Sequence, residues 1–317
     1  MKKYLVVGGA GFIGSHLAAA LGAEGADITI VDDLSLGRES NIRELLDSRK
    51  ARLEKLDIGA EGTAEKAFAD FGPFDAVFHL AANSDIERSS KNPVIEYERT
   101  FMTTYRILEA MRLHGCKELV FCSTSAIYGD KSGRETAESD GPYLPISYYG
   151  GAKLASEGFI SAYAYMNDIR AVVPRFPNVV GEHATHGVIY DFIKRLRDNP
   201  RELRILGNGE QEKPYLYVKD LVDAILTIRS KAAERVAIYN IGAESRTKVK
   251  DIARIVVEEM GLKDVEFKFT GGIGGWKGDV PKFGYDLARL HDLGWKAQHS
   301  SDEAVRLAAR GILEDFK

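Results

Sequence analysis

Cysteine is nearly absent from this chain: Cys116 and Cys122 are the only two in 317 residues. At that spacing they form neither a disulfide framework nor a CxxC redox or metal motif, so a reducing compartment, the cytoplasm, is expected. Long hydrophobic runs are missing too. Met1-Lys2-Lys3 leads into an apolar run too short to cross a bilayer and soon broken by glycines, so neither a signal peptide nor a transmembrane segment is expected. No charge sign dominates. With 43 Lys and Arg against 47 Asp and Glu the net charge is −4, which favours neither nucleic acid nor an anionic membrane. A local basic pocket for a phosphorylated ligand stays open. Histidine gathers no metal set either: His183 and His186 lie in a loop without a matching carboxylate or Cys cluster, and His79 ends an apolar strand, where it reads as packed core. There is no internal repeat and no low-complexity segment.

What is present suits a globular chain that can bury a large core without staples, as two domains or as one domain with a lobe. One stretch organises the rest. In Val6-Val7-Gly8-Gly9-Ala10-Gly11-Phe12-Ile13-Gly14 a short apolar strand runs into a turn and then into a helix with apolar Phe12, Ile13, Leu17 and Leu21. Gly8 lets the chain turn sharply, Gly11 leaves room for a pyrophosphate, and Gly14 lets the helix pack close on the strand. The helix N-terminus offers N–H groups and a positive dipole end to phosphates. The same fingerprint calls for an acid about 20 residues on, at the end of the second strand, to hold an adenosine ribose. Ile28-Thr29-Ile30-Val31 is that strand and Asp32-Asp33 follow it. An acid there repels a 2′-phosphate, so NAD is expected over NADP.

Strands and helices then alternate, which argues for a parallel sheet covered on both faces. The expected strands are Arg52 to Leu56, Asp75 to Leu80, Lys117 to Cys122 and Ile169 to Phe176. The expected helices are Thr63 to Phe71, a long one over Val94 to His114, and one from about Ser147 to Met166. Polar residues gather at the strand ends (Asp32, Asp57, Ser84, Thr124), where ligands of open α/β sheets bind. Past Asn178 the pattern loosens. Val188 to Asp198, Lys219 to Ser230, Thr247 to Met260, Asp286 to Leu293 and Ser301 to Asp315 read as helices, with strands at Leu203 to Leu206 and Ala237 to Ile241. The fold class is therefore α/β: a Rossmann-type, doubly wound parallel sheet over residues 1–177, with a smaller mixed C-terminal substrate lobe over 178–317. That boundary is approximate and some segments interleave. The ligand is expected between the two lobes.

Tyr149-Gly150-Gly151-Ala152-Lys153 carries the chemistry. Tyr149 and Lys153 are one helical turn apart and share a face, whereas Tyr148 lies off it. An ammonium beside a phenol favours the phenolate, so Lys153 is expected to lower the Tyr149 pKa.

At these residues the chain resembles the extended short-chain dehydrogenase/reductases, specifically the nucleotide-sugar epimerases and dehydratases. The likeness covers nearly the whole chain. It is carried by Gly8 to Gly14, Asp32-Asp33-Leu34-Ser35, Asp57-Ile58, His79-Leu80-Ala81-Ala82, Ser123 to Gly129, Tyr149 to Lys153 and Arg175-Phe176-Pro177-Asn178. It continues through Gly207 to Gln211, Tyr217 to Asp220, Tyr239 to Gly242 and Gly278-Asp279-Val280. The resemblance implies a Thr124–Tyr149–Lys153 triad. Thr124 would hydrogen-bond the reacting sugar hydroxyl, Tyr149 would take its proton, and Lys153 would hold the nicotinamide ribose. It implies that NAD is held by Gly8, Gly11, Phe12, Ile13, Gly14, Asp32, Asp33, Ser35, Gly37, Asp57, Ile58, Leu80, Ala81, Ala82, Ser123, Tyr149 and Lys153. The nucleotide sugar would be held by Ser84, Thr124, Asn178, Val188, Lys213 and Lys277.

Family dehydratases carry an acidic pair after the triad Thr, and decarboxylases a nearby Glu. This chain has Ser125-Ala126 there. That absence points to epimerisation at C4 of a nucleotide sugar, a UDP-hexose first of all, with NAD recycled. The alternatives are an epimerase for uronic acid or N-acetylhexosamine sugars, a nucleotide-sugar reductase, or a dinucleotide sensor without catalysis. The chain departs from the common family pattern at Thr100, Pro177, Pro214 and Trp276. Many relatives pair as homodimers through the helices near Val94–His114 and Ser147–Met166. Phe101, Ile107, Leu108, Phe159 and Ile160 could serve that contact or the core.

Overall fold

The computed structural model describes residues 1–83, 86–131, 133–272, 280 and 282–316; of 86–88 it describes the backbone alone. Two compact units divide the chain. The first comprises Met1–Gly129, Gly141–Arg175 and Ile225–Tyr239, and the second Asp130–Asp140, Phe176–Ala224 and Asn240–Lys317.

The first unit is built on β1 (Lys3–Val7), β2 (Asp27–Asp32), β3 (Ala51–Lys55), β4 (Ala76–His79), β5 (Glu118–Phe121), β6 (Arg170–Phe176) and β7 (Val236–Asn240). Their order across the sheet is β7-β6-β5-β4-β1-β2-β3, and every pairing from β6 to β3 is parallel. Strand order reverses beside β1, where a doubly wound sheet opens a crevice at the strand ends. Interior strands are buried on both faces and so read as unbroken apolar runs: residues 4–7 of β1 and all of β4 are buried. The edge strand β3 is instead Ala-Arg-Leu-Glu-Lys, with charges that discourage further strand pairing. The opposite edge is taken by β7, whose sequence lies far from the other strands.

Helices α1 (Phe12–Ala23), α2 (Thr63–Phe71), α3 (Thr103–His114) and α4 (Tyr148–Met166) belong to this unit. One face of the sheet packs Leu5, Val7, Val77, Leu119 and Phe121 against Phe68 of α2, Ile107, Leu108 and Met111 of α3, and Ile160 of α4. The long helix expected over Val94 to His114 is not uniform. It has a helical turn at Val94–Glu96, a π-helical stretch at Tyr97–Met102, and only then α3. A further short helix, Ile86–Lys91, carries no apolar periodicity and was not expected.

The second unit pairs short strands: Asn178–Val180 with Tyr215–Tyr217, Glu202–Ile205 with Glu266–Phe269, Glu212–Lys213 with Thr247–Lys248, and Glu135–Thr136 with Gly284–Tyr285. Helices α5 (Val188–Asp198), α6 (Val249–Glu259) and α7 (Ser301–Asp315) pack on one another through apolar residues three and four apart, such as Ile189, Phe192, Ile193 and Leu196 of α5. Ser300 and Glu303 close a capping box at the start of α7.

Candidate active site

The glycine turn after β1 comes first. Gly8 has φ +78°, open to glycine and costly for other residues. A Cβ on Gly14 would sit 2.1 Å from the Gly8 carbonyl oxygen, so only glycine lets α1 approach the turn this closely. Gly11, the N-cap residue of α1, has no side chain to cap it. The first-turn N–H groups at Phe12, Ile13 and Gly14 are therefore left to a ligand, and an anion suits them. Leu80 and Ala81 donate their N–H groups to the Val7 carbonyl at 2.9 and 3.1 Å, which draws the end of β4, with Ala82, up against this turn.

Asp32 ends β2 and is nearly buried. It accepts from the Ala10 N–H at 2.9 Å and the Leu34 N–H at 2.8 Å, tying the turn to the strand end. Burial pushes its carboxyl up, and those backbone N–H groups pull it down. Gly37 passes so close that a Cβ there would lie 2.8 Å from the Asp32 carboxylate. Asp33 accepts from the Ser35 N–H at 2.9 Å and pairs with Arg99 at 3.0 Å. Burial opposes its charge, but Ser35 and Arg99 outweigh burial and hold it below the usual range. Sequence reasoning missed Arg38 and Asn41: the Arg38 N–H and the Asn41 amide both reach the Ala10 carbonyl, at 3.0 Å each. Asp57 lies past the end of β3 on a cleft of about 370 Å³ shared with Gly59, Tyr97, Arg99, Met102 and Arg106. Ile58 beside it is buried in the core.

The reacting group is built from β5 and α4. The Ser147 hydroxyl caps α4 by accepting from the Gly150 N–H at 3.1 Å, which fixes Tyr149 in the first turn. Gly150 faces the segment Ser125–Tyr128, and a Cβ on it would lie 2.5 Å from the Ala126 carbonyl oxygen. That close approach sets Tyr149 beside Thr124, whose hydroxyl favours the phenolate. Thr124 also accepts from the Ala126 N–H at 3.2 Å, so it caps its own loop as well. Lys153 is 2% exposed. Its ammonium donates to the Cys122 carbonyl at 2.7 Å and lies 4.4 Å from the Phe121 ring centre.

The electrostatics correct one expectation. Lys153 does not lower the Tyr149 phenol. Burial pushes that phenol well up, Glu96 and Cys122 push the same way, and only the Thr124 hydroxyl opposes them. Lys153 is itself pulled down to about 8 by burial, its ammonium is spent on Cys122 and Phe121, and it lies 5.9 Å from the Tyr149 ring centre. Spacing along a helix gives the shared face; it does not give the direction of the side chain.

Ser123 is buried, and its hydroxyl donates to Glu157. Glu157 also holds Arg175 at 2.6 Å in a fully buried ion pair, with the Tyr128 hydroxyl 2.9 Å from the guanidinium. Burial pulls the Arg175 guanidinium down, and Glu157 outweighs it and holds it above the usual value. This pair clamps β6, α4 and the Thr124 loop together. His79 is core as expected: it is fully buried, its Nε2 lies 3.0 Å from the Thr104 hydroxyl, and burial holds its ring neutral.

The first unit thus brings together the glycine turn, Asp32, Asp33, Ser35, Gly37, Asp57, Ile58, Leu80, Ala81, Ala82, Ser123, Thr124, Tyr149 and Lys153. Asn178, Val188 and Lys213 belong to the second unit, on a strand, at the start of α5 and on a second strand respectively. Ser84, Trp276 and Lys277 lie outside the described residues. Among the described residues no three His, Cys, Asp or Glu form a metal set, and no helix is long and apolar enough to cross a membrane.

A family model for the NAD dependent epimerase/dehydratase family matches residues 4–242. The UDP-glucose 4-epimerase of Mycolicibacterium smegmatis is 30% identical over 96% of this chain and 96% of its own. Among solved structures, the UDP-glucose 4-epimerase of Thermotoga maritima with UDP-glucose has a TM-score of 0.89 at 31% identity, covering 99% of this chain and 100% of its own. The UDP-glucose 4-epimerase of Thermus thermophilus in complex with NAD has a TM-score of 0.86 at 28% identity, covering 98% of each chain.

Proposed function

We propose, from the premise that this chain belongs to the NAD dependent epimerase/dehydratase family, that it is a UDP-glucose (UDP-galactose) 4-epimerase. The cofactor is NAD, and the residues present fit it: an uncapped helix N-terminus, a turn that a Cβ would fill, and a buried acid at the end of β2. NAD, when bound, would supply the acceptor for a hydride from C4 of the sugar and the donor that restores it, so it would be recycled in each turnover.

The chain supplies the proton chemistry and the positioning. The Thr124 hydroxyl holds the sugar 4-hydroxyl against Tyr149, and the Tyr149 phenol oxygen takes and later returns its proton. Lys153 holds the nicotinamide ribose from its seat on the Cys122 carbonyl. Gly11 leaves room for the pyrophosphate and the Phe12–Gly14 N–H groups hold it, with Asp32 on the adenosine ribose and Asp57 and Ile58 on the adenine side. On the substrate, Asn178 and Lys213 serve the diphosphate, and Ser84, Val188 and Lys277 are assigned to the same ligand by family likeness. The observation that carries the reading is Tyr149 set beside Thr124 and buried Lys153, followed by Ser125-Ala126 with no acid to eliminate water.

A homodimer in the cytoplasm completes the reading. Of the five apolar positions open to core or contact, Ile107, Leu108 and Ile160 are buried. Phe159 is exposed and half-buried Phe101 packs on it edge to face at 5.2 Å, with exposed Tyr97 beside them. An aromatic face of that kind suits a partner.

The test is a coupled assay of purified protein with UDP-galactose and UDP-glucose and no added reductant. Interconversion without net change in NADH absorbance is expected. Net NADH formation, or no interconversion by NAD-loaded protein, would overturn the reading.

A further inference from the structure

Separate pieces of the first unit converge on one buried side chain. Arg175 lies near the end of β6, and only 1% of it is exposed. Its Nε and Nη2 donate to the two carboxylate oxygens of Glu157 on α4, at 3.1 and 2.6 Å. A bidentate fork of this kind fixes direction as well as distance. Its Nη1 donates to the Tyr128 hydroxyl at 2.9 Å and lies 3.5 Å from the Tyr143 hydroxyl. The guanidinium carbon is 5.1 and 4.9 Å from the centres of those two rings, which meet edge to face at 5.7 Å.

A filled core does not call for this arrangement. A buried ion pair is often no more stabilising than apolar side chains of the same volume, because both charges leave water. What the fork and the flanking tyrosines add is fixed geometry, and the segments they fix are those that carry the proton chemistry. Thr124 is anchored on both sides. The Ser123 hydroxyl, just before it, donates to Glu157, and Tyr128, which ends the short helical segment after it, accepts from Arg175. Tyr149 is anchored on both sides too. Tyr143 lies in the loop that leads to the Ser147 cap, and Glu157 stands about two turns beyond Tyr149 on α4. Thr124 and Tyr149 therefore hang from the same ion pair.

We propose that Arg175 is a positioning residue that sets Thr124 against Tyr149, acting through Glu157, Tyr128 and Tyr143. It is assigned no contact with the sugar or with NAD, so the inference rests on the assignment of Thr124 and Tyr149 to the reaction. Lysine in its place would keep the charge beside Glu157 but present a single point donor without the fork. Misplacing reacting groups by about 1 Å costs about 10²-fold in rate, so the loss falls on kcat. The grip on NAD belongs to the glycine turn and is left alone.

The experiment compares wild type with Arg175→Lys and with Arg175→Met/Glu157→Met, which buries no charge, by thermal melts, bound-NAD content, steady-state kinetics with UDP-galactose and crystal structures. Both variants are expected to keep their NAD, with kcat lowered about 10²-fold, KM within about threefold, and the Thr124 hydroxyl moved by about 1 Å relative to the Tyr149 phenol oxygen. The double variant is expected to melt near wild type while its kcat stays low, a split that a merely stabilising pair does not give. If neither variant folds, Tyr128→Phe, which loses only the hydroxyl that accepts from Arg175, is expected to lower kcat by about tenfold. A folded variant with the Thr124–Tyr149 separation unchanged, or with kcat recovering together with Tm, would overturn the inference and leave Arg175 a structural residue. The crystallographic readout needs no turnover. Wild type that fails to interconvert UDP-sugars while the separation still changes in the variants would sink the proposed substrate and sustain the positioning.

Discussion

Tyr149 is an enclosed phenol whose charged form is opposed by burial and by Glu96 and favoured by the Thr124 hydroxyl. Removing the phenol oxygen removes the proton acceptor and little else. Tyr149→Phe is expected to keep its NAD and its melting temperature while turnover falls by about 10³-fold or more. Turnover within tenfold of wild type would take Tyr149 out of the mechanism. Lys153 makes a separate thermodynamic prediction. Its ammonium binds its proton less tightly in the folded chain, at about 8, than in the unfolded chain at the ordinary value of 10.5. Between those limits the unfolded state holds more protons, so stability rises with pH there, and the cost of burying the charge is fully present below about 8. Lys153→Met should thus gain on wild type at pH 7 by up to about 3 kcal/mol, less what the lost Cys122 hydrogen bond costs. That difference should shrink as pH rises from about 8 to about 10.5. Denaturant melts at several pH values measure it; a pH-independent difference would show that Lys153 is not buried as a cation.

The first turn of α4 and the Ser125–Tyr128 segment meet at Gly150, where a Cβ would press on the Ala126 carbonyl oxygen. Backbone, unlike the tip of a flexible side chain, cannot give way cheaply. Gly150→Ala is expected to cost about 1–3 kcal/mol and to lower turnover by separating Thr124 from Tyr149, with KM for the sugar nucleotide changed less than kcat. Thermal melts beside steady-state kinetics check both halves. Unchanged stability and kcat would mean that the two segments yield freely. This element was only half legible. The 3.6-residue period and Ser147 announced the helix, and four-residue spacing put Tyr149 and Lys153 on one face. Nothing in that period told where the lysine would point. The Val94–His114 region failed for the same reason: apolar periodicity predicted a helix but was blind to the π-helical stretch that lines up Glu96 and Thr100. Glycine spacing fared best, because Gly8 and Gly14 answer to backbone geometry that one residue type alone satisfies.

Across the whole molecule, the parallel sheet with its strand-end cluster was readable, since alternating strands and helices leave few topologies open. The edge strand β7 was harder to place. Val236–Asn240 is apolar like any interior strand, and only tertiary pairing assigns it to the sheet of the first unit. The Glu157–Arg175 pair was equally hidden, because charge in a sequence reads as surface until burial reveals a partner. The central claim is that one hydride leaves C4 and returns to it within a single enzyme-bound cycle. UDP-galactose deuterated at C4 tests this most directly, with the product analysed by NMR and mass spectrometry in ordinary water. The account predicts UDP-glucose with deuterium fully retained at C4. Loss of the label to solvent would contradict it, because the proton of a C4–H bond broken by acid–base chemistry exchanges with water whereas a hydride does not.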